Sequence, residues 1–168
     1  MNRRYATDAD ASTIAQFHIE GWQRTYHNIF PSHVLENLDV EERTAQWQEI
    51  VKDPRTITEL LTTEKGRIAG LISAGPVRDP FILSYDSELY AIYLAPQVQH
   101  KGLGKKLFIS MADQLKNQGF ASMVVWLARE NPARSFYESF SPVTVTEKVN
   151  QYGVEDIAFG YQLSEISS

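Results

Sequence analysis

From residue 11 onward the apolar positions follow a helical period: Ala11, Ile14, Ala15, His18 and Trp22 fall on one face. Thr7 followed three residues later by Asp10 makes a capping-box-like start, so a first helix is expected over about residues 8 to 22. Asp39 and Glu42 offer a second start, with Ala45, Trp47, Ile50 and Val51 as apolar positions before Asp53-Pro54 ends the segment. The texture then changes. "TITELLTTEKGRIAGLISAGP" places two short runs rich in threonine and isoleucine around Lys65-Gly66, the pattern of a hairpin. "SYDSELYAIYLAP" is a further strand, bounded by Pro96, whose alternation suits a sheet covered on both faces. From Gly104 the period is again helical, with Leu107, Phe108, Met111, Ala112 and Leu115 on one side until Asn117 and Gly119. "SMVVWLAR" reads as a buried strand, and Asn131-Pro132 opens a short helix with Ala133, Phe136, Tyr137 and Phe140 facing one way. "VTVTEKV" and "DIAFGYQL" close the chain as two more strands. This order predicts an α/β (α+β) fold, a mixed sheet flanked by helices.

With 168 residues and 43% hydrophobic content, the chain suits one packed domain over residues 1–168. Its net charge of −5 argues against a general nucleic-acid binder, which needs a basic surface to neutralise phosphates. The absence of cysteine removes disulfides, thiol nucleophiles and cysteine-ligated zinc, and the four histidines lack HExxH spacing, so no metal is expected. "MNRRYATDAD" lacks the apolar core of a signal peptide and no later window approaches membrane-spanning length, which makes a cytoplasmic protein the expectation. "AGPVRDP" (74–80) has the composition of a surface turn.

One turn stands apart. "QHKGLGKK" (99–106) sets two glycines and three lysines where a strand gives way to a helix. A helix amino terminus presents free backbone N–H groups and the positive end of the helix dipole, and glycine lets an anion approach them. A Walker loop would need glycine at position 99, which is Gln99, and Ser or Thr where Lys106 stands. The dinucleotide fingerprint would need glycine where Leu107 stands, and no strand-helix-strand unit opens the chain. Read from these residues alone, the turn is either an anion cradle or a strand-to-helix corner with a solvated lysine face.

Gln99-x-x-Gly102-x-Gly104 resembles the acetyl-CoA pyrophosphate loop of the GCN5-related N-acetyltransferase (GNAT) superfamily, written Gln/Arg-x-x-Gly-x-Gly/Ala. The resemblance implies that Gln99, His100, Lys101, Gly102, Leu103, Gly104 and Lys105 form the cradle for acetyl-CoA. It also implies a sheet splayed at a bulge beside the preceding strand, with Ile92, Tyr93 and Leu94 pairing the pantetheine arm and supplying a backbone N–H to the oxyanion. "ENPARSFYESF" (130–140) is similar to the family's Asn-Pro-Ala-Arg-x-Phe-Tyr-Glu helix. Asn131 then maps to a cofactor contact and Tyr137 to the residue near the sulfur, where a phenol of ordinary pKa near 10 could protonate the departing thiolate. Where the family usually continues with Gly-Phe after this helix, the chain has Ser141-Pro142.

An ammonium has no lone pair, so the acceptor must lose a proton before attack. Glu88 matches a position where many relatives carry a glutamate proposed to act through water, with His18 as second choice. "HIEGWQRTYHNIFPSHVLENL" resembles a bacterial branch of the family with His-x-x-x-Trp-x-x-x-Tyr spacing, which makes His18, Trp22 and Tyr26 candidate walls of the acceptor pocket. Structural readings stand beside these: Tyr137 as a core aromatic, Glu88 as a solvated strand-end carboxylate, Trp22 as packing on the sheet. The resemblance implies direct transfer from acetyl-CoA to a primary amine through a ternary complex; the alternative is a CoA-sensing or interaction module of the same fold. A polyamine, an aminoglycoside, a lysine side chain or a phosphinothricin-like amino acid all remain open as acceptors, and exposed strand edges permit a homodimer.

Overall fold

The computed structural model describes residues 1–167. Seven strands form one sheet: β1 (Asn2–Tyr5), β2 (Ile57–Thr62), β3 (Ile68–Pro76), β4 (Ser87–Leu94), β5 (Ser122–Ala128), β6 (Val143–Val149) and β7 (Glu155–Gln162). Their spatial order is β1-β2-β3-β4-β5-β7-β6, and every neighbouring pair is antiparallel except β4 with β5. A parallel pair needs a crossover. Here α4 (Leu103–Asn117) supplies it.

Alternation along the strands sorts the core into two layers. Ala69 and Leu71 of β3 pack beneath α1 (Ala11–Thr25) and α3 (Val40–Lys52), while Ile72 and Ala74 face α4 and α5 (Arg134–Glu138). Leu107, Phe108, Met111, Ala112 and Leu115 of α4 are all buried on that second face. Burial of each large apolar side chain among them contributes about 1.5–3 kcal/mol. The capping box at Thr7 and Asp10 is present: the Thr7 amide donates to Asp10 Oδ2 at 2.8 Å.

The helix expected over about residues 8 to 22 opens as a 3-10 turn at Asp8–Asp10, is α-helical from Ala11 and continues to Thr25, about one turn beyond the expected end, because Trp22 and Tyr26 carry its apolar stripe onto α2 (Ser32–Glu36). The apolar pattern predicts neither α2 nor β1. The first has five residues, and every residue of the second is exposed, so neither carries a buried period. The remaining expected strands and helices form where the sequence placed them.

One irregularity shapes everything that follows. Ser73 pairs with Ala91 and Ala74 with Leu89, which leaves Tyr90 as an extra residue on β4. Leu89 and Ala91, two residues apart, therefore face opposite layers of the core. Beyond this bulge β4 leaves its parallel partner: the ladder with β5 runs from Ser87–Met123 to Leu89–Val125 and stops.

Candidate active site

Where the ladder stops, the sheet opens. From Tyr90 to Leu94 the edge of β4 that faces β5 has no strand partner among the described residues, and a cavity of about 1330 Å³ passes through the gap. Ile92, Tyr93 and Leu94 line it from β4, and Val125 to Ala128 line it from β5.

At one mouth lies the turn of residues 99–104. Pro96–Val98 form a single 3-10 turn with Val98 buried, and Gln99 Nε2 donates to the Leu94 carbonyl at 2.9 Å, which fastens the loop to the end of β4. His100 (φ 60°) and Gly102 (φ 78°) both take left-handed backbone. That conformation costs little only for glycine, and a Cβ at Gly102 would meet nothing within 4 Å. Among the described residues no side chain caps α4, and no acidic residue sits in its first turn, so its opening N–H groups are left free at the positive end of the dipole. Gln99, His100, Gly102, Gly104 and Lys105 line the cavity; the exposed Lys101 and the half-buried Leu103, which packs on the core, do not.

Asn131 and Tyr137 also line the cavity. The turn after β5 is set by the Asn131 amide donating to Ala128 O at 2.9 Å, and Asn131 Oδ1 accepts from the Ala133 amide at 2.8 Å. Tyr137 is buried, its carbonyl accepts from Tyr161 Oη at 2.7 Å, and its own hydroxyl has no partner among the described residues. Burial pushes the Tyr137 phenol well above its ordinary value, which corrects the expectation of an unperturbed tyrosine.

At the other mouth stands an aromatic wall. His18, Trp22 and Tyr26 stack edge to face, with centroids 6.3 Å and 5.0 Å apart, and Phe30 extends the row 5.2 Å from Trp22. Gly21 lets this helix approach the strand: a Cβ there would lie 2.6 Å from the Tyr93 ring. His18 Nδ1 accepts from Trp47 Nε1 at 3.2 Å and faces Arg43 Nη1 at 3.3 Å, so the neutral ring carries its proton on Nε2. Burial, aided by the charges of Arg43 and Arg78, holds the imidazole down at about 3. A ring in that state has no free lone pair to take a proton.

Glu88, expected as a base acting through water with a solvated strand-end carboxylate as the alternative, is buried against Arg78. It is 3% exposed and does not line the cavity. Its Oε1 accepts from the Arg78 amide at 3.0 Å and its Oε2 from Arg78 Nη2 at 2.7 Å, while the guanidinium lies 4.1 Å over the ring of Tyr90, the bulged residue. Arg78 itself lines the cavity, as do Arg24, Trp126, Lys148, Tyr152 and Asp156, none of which the motifs indicated. The surface turn expected over "AGPVRDP" begins only at Val77, because Ala74 to Pro76 belong to β3, and Arg78 falls in that turn, where its composition hides its role; Asp156 could have been noticed as the one acid on the strand face it shares with Ala158 and Gly160.

Comparison with known proteins gives this architecture its place. Residues 56–148 match the family model described as FR47-like protein. The chain is 37% identical over 146 residues to the "Uncharacterized N-acetyltransferase YuaI" of Bacillus subtilis, covering 86% of this chain and 81% of that one. This chain belongs to the GCN5-related N-acetyltransferases. It is also 27% identical to an L-methionine sulfoximine/L-methionine sulfone acetyltransferase of Salmonella typhimurium, over 92% of this chain and 86% of that one. The PaiA N-acetyltransferase of Thermoplasma acidophilum, solved in complex with coenzyme A, shares the fold with a TM-score of 0.72 and 18% identity, over 95% of this chain and 98% of that one. Among the described residues no cluster of His, Cys, Asp or Glu could hold a metal ion, and no helix is long and apolar enough to cross a membrane.

Proposed function

We propose that this N-acetyltransferase acetylates the amine of a small amino acid or a close analogue, with acetyl-CoA as donor, by direct transfer. The observation that carries the reading is the gap between β4 and β5 beyond Leu89, with an uncapped helix amino terminus at one mouth and an aromatic, charged pocket at the other. The chain fits the cofactor: Gly102 leaves the cradle open to a pyrophosphate, and the unpaired edge of β4 suits an extended amide-bearing arm laid down like an added strand. When bound, acetyl-CoA supplies the acyl group as a thioester.

The residues then divide the work. Free N–H groups at the start of α4 hold the diphosphate, with Lys101 and Lys105 adding charge at the rim. The Ile92–Leu94 backbone pairs the arm and stabilises the charge that develops on the carbonyl oxygen. Tyr137 presents its unpartnered hydroxyl to the departing sulfur; a phenol raised by burial donates a hydrogen bond there more readily than it surrenders its proton. Glu88, with both oxygens on Arg78, positions that guanidinium rather than taking a proton.

Charge supports the choice of acceptor. Arg24, Arg78 and Lys148 line the cavity with one carboxylate, Asp156; Glu88 pairs with Arg78 and Asp79 with Lys148 from outside the lining, and the guanidinium of Arg78 is suited to the carboxylate of a zwitterion. The similar Salmonella enzyme is named for acceptors of this type. The test is amine-dependent release of CoA from acetyl-CoA, with L-methionine sulfone, unmodified L-amino acids and spermidine compared as acceptors. Higher kcat/KM for the amino acids than for spermidine supports the reading, and the reverse order overturns the acceptor. Tight binding of acetyl-CoA with no amine-dependent release by any of them would return the non-catalytic CoA module.

A further inference from the structure

The acceptor mouth contains one carboxylate that the family motifs leave unused. Asp156 lies near the start of β7, where Ile157, Phe159 and Tyr161 turn into the core beneath α4 while Asp156 shares the other face with Ala158. It pairs with Ala128 of β5 and with Lys148 of β6. The carbonyl of Ala128 fixes the turn that carries Asn131, and Asn131 reaches Tyr26, so the strand ladder sets Asp156 at the same end of the gap as these groups. Among the described residues that line the cavity it is the sole carboxylate. The two groups that motifs offer as bases are both engaged: Glu88 is bound by Arg78, and the free lone pair of His18 is taken by Trp47.

We propose that Asp156 receives the ammonium of the acceptor and takes its proton. The proposal rests on the N-acetyltransferase reading of this site.

Its surroundings suit the task. Asp156 Oδ2 accepts from Asn150 Nδ2 at 3.2 Å, while Oδ1 has no protein donor among the described residues. The residue is half-buried, and desolvation raises its carboxyl, opposed by the Asn150 hydrogen bond and the charge of Lys148. A carboxylate raised in this way is a stronger base than an exposed aspartate. The other charged or titratable groups around it are Arg129 at the end of β5, with Glu147 and Glu155 as its ion-pair partners, Tyr26 at the end of α1, and Tyr152 in the β6–β7 turn.

In the step, an N–H bond of the ammonium breaks, its electron pair stays on nitrogen as the lone pair, and the proton passes to Oδ1. The amine then forms a bond to the thioester carbon, the C–S bond breaks with its electrons going to sulfur, and the second nitrogen proton ends on the thiol. Asp156 returns its proton to water. Ammonium and thioester thus become amide, thiol and one released proton.

The experiment compares wild type with Asp156→Asn in kcat/KM for L-methionine sulfone from pH 6 to 9, alongside acetyl-CoA affinity by calorimetry and the melting temperature. The expected variant folds, binds acetyl-CoA as wild type does, loses at least about 100-fold in kcat/KM at pH 7, and recovers about tenfold per pH unit as the free amine becomes available. A uniform loss across the pH range, or none, overturns the proposal. Asn150→Ala gives a second arm that keeps the carboxylate: loss of its hydrogen bond should move the acidic limb of the wild-type profile upward, and an unmoved limb counts against Asp156. Wild type that binds acetyl-CoA but releases no CoA with any amine overturns the acetyltransferase reading itself, a result separable from either variant's.

Discussion

Asn131 Nδ2 donates to Tyr26 Oη at 3.3 Å, joining the turn after β5 to the end of α1 across the gap in the sheet. With Asn131 Oδ1 already accepting from Ala133, the amide is fixed at both ends, and the aromatic row from His18 to Phe30 is tied to the cofactor side of the cavity. Tyr26→Phe removes this link together with the hydroxyl that meets Tyr93, and leaves a buried donor short of a partner. The expected cost is about 1 kcal/mol in urea denaturation, with a higher KM for the acceptor and an unchanged KM for acetyl-CoA. An equal rise in both constants would count against the division of the cavity into two mouths.

The loop at residues 99–104 separates fold from binding in one substitution. Gly102→Glu places a side chain where nothing lies within 4 Å, at a backbone φ of 78°, so its folding cost is the strain of that conformation, about 1 kcal/mol. An acidic group beside a helix amino terminus offsets part of that cost. Affinity for CoA, measured by calorimetry, should nevertheless fall by at least tenfold, because the same position carries the proposed phosphate. Gly104→Ala is the control: its Cβ meets Phe136 and Leu94 at 3.5–3.7 Å, ordinary contact, and affinity should stay within a few-fold of wild type.

These two sites also mark how far the sequence alone could be read. Gln99, Gly102 and Gly104 announce themselves because an anion cradle needs particular residue types at fixed spacing, and the apolar periods of α1, α4 and β5 follow from one-sided burial. Tyr90 gives no such sign. Its extra place in β4 becomes visible only when Ser73 and Ala74 are paired with Ala91 and Leu89, and that register depends on the other strand. Arg78 is hidden for a related reason, and Asp156 stands out only as the one acid on its strand face: a charged residue in a turn or near a strand start reads as solvated until the chain folds it over a cavity. Glu88 was legible as a residue of interest but not as a buried partner of Arg78, since the two meet through a turn of irregular backbone.

Glu88 therefore invites a discriminating substitution. Glu88→Gln keeps an acceptor for the Arg78 amide and removes the charge that holds the guanidinium over Tyr90. If Arg78 binds the carboxylate of an amino-acid acceptor, KM for that acceptor should rise several-fold while the pH profile of kcat keeps its shape. Loss of the acidic limb in the variant would instead make Glu88 the base and remove the positioning role. Arg78→Gln should reproduce the KM effect, and acetyl-CoA affinity should be the same in all three proteins.

His18 makes the stability of the protein depend on pH in a defined direction. Its folded-state value near 3 lies below the 6.5 of an unperturbed histidine, so the unfolded chain binds a proton that the folded protein refuses. The neutral ring, held by Trp47 and enclosed by Trp22 and Tyr93, contributes fully to stability above about pH 6.5. Below that its contribution falls by about 1.4 kcal/mol per pH unit until the folded value is reached. His18→Gln keeps an acceptor for the Trp47 indole and removes the titration. Between pH 7.5 and 5 the stability gap between wild type and variant in urea denaturation should therefore shrink by about 2 kcal/mol, whatever its size at the higher pH. A gap constant across that window would mean that the imidazole titrates at its ordinary value, and that the aromatic wall opens to water.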